Sequence, residues 1–131
     1  MDIEEAIGMF YEGMSTGETD FADELIANDY EDIPLMPGQA GGPDGFKNTV
    51  AYLRSVFPDL TMTVEDVIIS GDRAAVRSTA RGTHRGEFLG VPATGRQVEF
   101  AAFDFHHVVD GKFRTSWHLE DNFNLLAQID R

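Results

Sequence analysis

The hydrophobic period of this chain changes once, near Leu60, and that change constrains the fold more than any other feature. Before it, apolar residues recur at helical spacing; after it, they alternate. Ile3, Ala6, Ile7, Phe10, Tyr11 and Met14 form one helical stripe with acids opposite, and STGETD ends it. Phe21, Leu25 and Ile26 make the face of a second, shorter helix, and YEDIPLMPGQAGGP reads as a short strand followed by a loop. Pro43 opens a third helix, whose stripe is Phe46, Val50, Leu53, Val56 and Phe57 and which Pro58 stops. Two strands then meet at Ser70-Gly71-Asp72, RGEFLGVPATGRQ is a loop, and a long hairpin running to Leu126 turns at Asp110-Gly111. Three helices followed by a meander of long strands predict one α+β domain over residues 1–131, with the helices packed on one face of a curved antiparallel sheet.

The hairpin predicts which polar groups are turned inward. A two-residue loop pairs Val109 with Lys112, sets Asp104 opposite Trp117 and sets His106 opposite Thr115. One face then collects Val98, Phe100, Ala102, Asp104, His106 and Val108 with Phe113, Thr115, Trp117, Leu119, Asp121 and Phe123. This is the apolar, inner face. Ser116, His118 and Glu120 fall on the outer face with Phe103, Phe105 and His107. Along the preceding strand Arg73, Arg77 and Arg81 mark the outside, and Ala74, Val76, Ser78, Ala80 and His84 the inside. A bulge anywhere would flip every residue beyond it.

An apolar interior therefore receives Asp104, Asp121, His84 and His106. Desolvation raises a carboxyl pKa into the range where it serves as general acid or base. Structural roles stand beside the chemical ones. Asp121 can cap the last turn of chain, Asp104 can accept from the Trp117 indole or bind a histidine, and either histidine can be a satisfied core group. Phe103 and Phe105 on an exposed face suggest a partner surface, most simply a homodimer.

Composition narrows the function classes. A net charge of −13 disfavours nucleic acid and anionic membranes as partners. The chain has no cysteine, which excludes disulfide and thiolate chemistry. The start, MDIEEAIGMF, lacks the basic and apolar regions of a signal peptide, and no apolar run is membrane-spanning, so the expectation is a cytoplasmic protein. No metal site is expected: there is no HxH or HExxH, His106 and His107 point to opposite faces, and GETDFADE lacks EF-hand spacing. The glycines around 38–45 do not follow a βαβ strand, so no dinucleotide cofactor is expected.

The run FPDL, GDR, GTH, RGEFLGVPATGR, DGK and WHLED, within residues 20–129, resembles the SnoaL-like polyketide cyclase (ester cyclase) family of the superfamily named for nuclear transport factor 2. The resemblance implies a cone in which a strongly bent antiparallel sheet wraps three helices, with a deep apolar pocket and dimerisation through the sheet. It implies catalysis of intramolecular aldol closure without cofactor or metal. The aspartate of the WH..D position, here Asp121, would be the acid/base. The aspartate matching Asp104 lines the pocket in relatives that open epoxides or hydroxylate. This chain departs from the pattern at His107 (often arginine), Thr115 (often glutamate) and Ile33 (a polar residue, often histidine), which implies a more apolar pocket at Ile33 and Thr115.

The expected function is a cyclase or isomerase acting on a hydrophobic, polyketide-like carbonyl compound. Asp121 would be the acid/base, assisted by Asp104 and His106. Trp117, Phe100 and Phe123 would shape the cavity, with His84, Thr115, Ile33 and Tyr11 completing its lining. Epoxide opening by an Asp104–Asp121 pair and ligand binding without chemistry are the alternatives.

Overall fold

The computed structural model describes residues 2–35 and 38–130. Helix α1 (Ile3–Thr16) starts at Asp2, whose side chain accepts from the Glu5 N–H at 2.8 Å. Glu4 and Glu5 sit in its first turn, where the helix dipole favours negative charge, and Gly17 closes it in the left-handed conformation at φ 81°. A single-turn helix α2 (Ala22–Leu25) runs directly into strand β1 (Ile26–Ile33). Helix α3 (Gly42–Val56) follows with Pro43 in its first turn. The loop expected between β1 and α3 includes Met36 and Pro37, which lie outside the described residues.

The strands are β2 (Thr61–Ser70), β3 (Arg73–Thr83), β4 (Gln97–Val109) and β5 (Lys112–Glu120), and the chain continues into helix α4 (Asn122–Ile129). They form one curved, unclosed sheet in the order β1-β5-β4-β3-β2. The α+β plan agrees with the expectation, with two corrections. β1 joins the sheet parallel to β5, so the sheet is mixed. The final hairpin ends at Glu120 rather than Leu126. Asp121 caps a helix there, and Leu125 and Ile129, four residues apart, bury its inner face. Among the described residues no helix is long and apolar enough to cross a membrane.

Asp110 (φ 53°) and Gly111 (φ 75°) form the two-residue turn with both central residues left-handed, and Val109 pairs with Lys112 as predicted. The register then slips. Val108 pairs with Phe113, but His107 pairs with Thr115, leaving Arg114 as an extra residue on β5. This bulge reverses the predicted face of every later β5 residue. Ser116 is buried and His118 and Glu120 half-buried on the inside, whereas Trp117, Leu119 and Asp121 are exposed. Asp104 consequently faces His118, not Trp117, and His106 faces Ser116, not Thr115. β3 and β4 keep the predicted faces.

Two apolar clusters fill the cone. One joins α1, α2 and β1 with Phe46, Val76, Val108 and Phe113; the other joins the end of α3 with Phe88, Val98, Phe100 and α4. Arg54 binds them together, donating to the carbonyls of Met14, Ser15, Pro58 and Leu60 at 2.8–3.1 Å.

Candidate active site

Between the two clusters lies a cavity of about 280 Å³, walled by Phe10, Phe46, Leu53, Phe57, Phe88 and Phe100. Its polar groups gather on one side, supplied by the inward positions of three adjacent strands: Tyr30 and Asp32 of β1, Ser116, His118 and Glu120 of β5, and Asp104 and His106 of β4. α1 adds Tyr11 from beneath, its hydroxyl donating to Asp104 Oδ2 at 2.5 Å and lying 2.8 Å from His106 Nε2. His106 Nδ1 is 2.7 Å from Ser116 Oγ.

Burial pushes the Asp104 carboxyl up to about 6, against the opposing pull of the Tyr11 hydrogen bond. Burial likewise drives His106 down to about 3, so this ring is neutral. Tyr11 and Tyr30 are both pushed upward, by burial first and then by Asp104 and Asp32 respectively, and neither ionises near neutral pH. Asp32 is raised by burial, although Gln39 donates to it at 3.0 Å.

His118 has the opposite character. Its Nε2 faces the Pro34 carbonyl at 2.9 Å, which only accepts, and its Nδ1 faces the Glu120 carboxylate at 2.8 Å. Both nitrogens must donate, so the ring is an imidazolium. The Glu120 hydrogen bond is the main reason its pKa is pushed up to about 9, and Asp32 lies 3.4 Å from Nε2. The cavity thus sets one fixed cation beside a carboxyl poised near neutrality, within apolar walls. Such a site can take a proton from a carbon acid and stabilise the resulting oxyanion.

Of the residues expected from the sequence, Tyr11, Phe100, Asp104 and His106 come together here. Asp121 does not: it is exposed, and its carboxylate accepts from the Asn124 N–H at 3.1 Å as the cap of α4. This separation also dissolves the Asp104–Asp121 pair invoked for epoxide opening. The bulge carries Trp117 and Thr115 to the outer face, where Arg73 lies over the indole at 5.8 Å. Ile33 pairs with Trp117 on that face, and Phe123 is 87% exposed on α4. His84 is fully buried beside Phe57, with Nδ1 3.0 Å from Thr94 Oγ1, away from the cavity lining. The sequence reading missed Tyr30, Asp32, Ser116, His118 and Glu120. The alternation Tyr30/Asp32 against Glu31/Ile33 signals the first two, and the opposite parity of SWHLED the rest.

The fold and site define a small α+β cone enclosing an apolar, acid-lined chamber. The SnoaL-like polyketide cyclase family model matches residues 4–129. Aklanonic acid methyl ester cyclase DauD from Streptomyces sp. (strain C5) is 31% identical over 126 residues, 90% of this chain and 75% of the relative. Aklanonic acid methyl ester cyclase DnrD from Streptomyces peucetius is 30% identical over 90% of this chain and 83% of its own. Among solved structures, IdmH from Streptomyces antibioticus superposes with a TM-score of 0.84 at 34% identity over 98% of both chains. TsrD from Streptomyces laurentii reaches 0.89 at 26% identity over 98% of this chain and 97% of its own. The chain belongs to the SnoaL-like polyketide cyclase family, and with named relatives that are cyclases it is an enzyme of that kind.

Proposed function

We propose that the enzyme closes a ring on a neutral polyketide-like ester by intramolecular aldol addition, with Asp104 as acid and base and no cofactor. The observation that carries this is the Asp104 carboxyl, held near pH 6 in an apolar cavity by burial. A carbon acid between a ketone and an ester already delocalises its enolate charge, so one desolvated carboxylate suffices to remove the proton and return it to the aldol alkoxide. The His118 imidazolium, the cross-strand neighbour of Asp104, stabilises the oxyanion between these steps. Asp32 and Glu120 beside it disfavour a free acid and favour its ester. The relatives named as cyclases of a methyl ester support that substrate class.

The purified protein is incubated with aklanonic acid methyl ester and the products are separated chromatographically. Ring closure is expected, and Asp104→Asn should slow it by roughly 100-fold or more. Parental turnover by the asparagine variant refutes the assignment.

The outer face supports a homodimer. Phe103 (60% exposed) lies opposite Leu119 (73%), and Phe105 opposite Trp117, forming one apolar patch across β4 and β5. Arg73, Arg77, Arg81 and Arg114 surround it, although the chain carries −13 overall. Sedimentation equilibrium should give a dimer that Phe105→Glu dissociates; a monomeric parent at tens of micromolar defeats this assignment.

A further inference from the structure

Two tight turns in this chain share one conformation and differ in the residue that opens them. At Asp110-Gly111 both central residues are left-handed, and the first is an aspartate, a residue suited to that position. Between Phe88 and Val91 the same pair of positive φ angles recurs, 51° at Leu89 and 81° at Gly90. The Phe88 N–H donates to the Val91 carbonyl at 3.0 Å and the Val91 N–H to the Phe88 carbonyl at 2.9 Å, closing a two-residue hairpin loop. A leucine is uncommon in this conformation, because its Cβ crowds the following carbonyl oxygen. The fold does not use its side chain either: Leu89 is 51% exposed and belongs to neither apolar cluster.

Its position is nevertheless fixed. The Arg85 and Gly86 N–H groups both donate to the Val56 carbonyl, at 2.8 and 3.2 Å, and a Cβ on Gly86 would meet the Ser55 carbonyl oxygen at 2.8 Å. The Phe88 ring packs 5.9 Å from that of Phe57. The turn is therefore held against the end of α3, and Leu89 lines the cavity. A residue that lines the cavity and is more than half exposed lies at its mouth. Leu35, 56% exposed, reaches the same lining from the segment after β1. The ionisable groups of the lining all stand on β1, β4 and β5, whereas the wall of Phe46, Thr49, Leu53, Phe57 and Phe88 that leads to Leu89 has none.

We propose that Leu89 is a specificity-determining residue, held in a left-handed turn so that with Leu35 it closes on the apolar end of a substrate whose reacting end lies among the polar groups of the strands. The proposal rests on the reading of this cavity as the site of a neutral polyketide-like ester, and not on the role of Asp104. A backbone conformation that a leucine adopts at a cost is retained where the side chain meets a ligand rather than the core. The enzyme should therefore select for an uncharged, apolar group at the end of the substrate remote from the reacting carbonyl.

The test is Leu89→Asn, which keeps a residue suited to the left-handed position and removes the apolar contact. With aklanonic acid methyl ester as the probe, it should raise KM roughly 5- to 10-fold, the loss of about half a leucine surface from the ligand. Turnover at saturation should stay at the parental value, because the contact is the same in ground and transition states. The urea midpoint of the variant should equal or exceed the parent's, since the turn is relieved of its leucine. Leu89→Met, which keeps an apolar side chain, should hold KM near the parental value. A parental KM in Leu89→Asn overturns the proposal, because nothing is then gripped. A lowered urea midpoint overturns it too, because the leucine then serves the fold. If the parental protein binds the ester without closing a ring, the aldol reading fails and this one is decided by equilibrium dialysis, with the same weakening expected in the dissociation constant. No binding by the parent overturns both.

Discussion

Replacing Asp104 by asparagine removes a charge from the cavity and keeps its shape, including an oxygen that can accept from Tyr11. The effect on stability follows from the carboxyl's displaced pKa. In the folded protein it is pushed up to about 6, against an ordinary 3.8 for the unfolded chain. Folding therefore favours the protonated acid. The stabilisation from this preference is fully present below about pH 3.8 and lost as the pH rises through 6. A gap of that size corresponds to about 3 kcal/mol. Asparagine has no such dependence. The variant should thus gain about 2.4 kcal/mol on the parent between pH 4 and pH 8, whatever their difference at pH 4. Urea unfolding of both proteins at the two pH values measures it, provided the m-values agree. Equal differences at pH 4 and pH 8 would show that Asp104 titrates alike in both states, and the argument for a desolvated acid would fail.

His118 gives the converse profile. Its pKa is raised from 6.5 to about 9 by Glu120, so its contribution is full below pH 6.5 and lost as the pH rises through 9. His118→Gln should lose about 3 kcal/mol of stability at pH 6, narrowing toward zero above pH 9; unfolding across that range checks it. Asp121→Ala should lower stability by about 1 kcal/mol through loss of the α4 cap while leaving ring closure at the parental rate. A collapse of turnover without a change in melting would return Asp121 to the chemistry.

The sequence disclosed more of the fold than of the site, and the reason is local. Faces on β3 and β4 follow from alternation because no bulge interrupts them, so Asp104, His106 and Phe100 were placed by parity alone. On β5 the same reasoning fails after Phe113. Arg114 adds one residue, and nothing in KFRTSW marks it, since this bulge uses no glycine. α4 is hidden because alternation carries the hairpin on through NFNLL, although Asp121 ahead of Leu125 and Ile129 offers a cap and a helical spacing. Tyr30 and Asp32 alternate with Glu31 and Ile33, but which of the two sets faces inward is decided by β1 pairing in parallel with β5, a long-range choice.

Counted in codons, the division on β5 between chemistry and contact is one triplet wide. Ser116, His118 and Glu120 alternate with Trp117 and Leu119 along a single strand, and only the extra residue at 114 decides which set looks inward. Losing that triplet would fill the chamber with an indole and an isobutyl group and set the imidazolium in solvent. An insertion or deletion here therefore rewrites the interior of the enzyme without substituting any residue of it. Length at the hairpin is a heritable trait as consequential as the identity of Asp104.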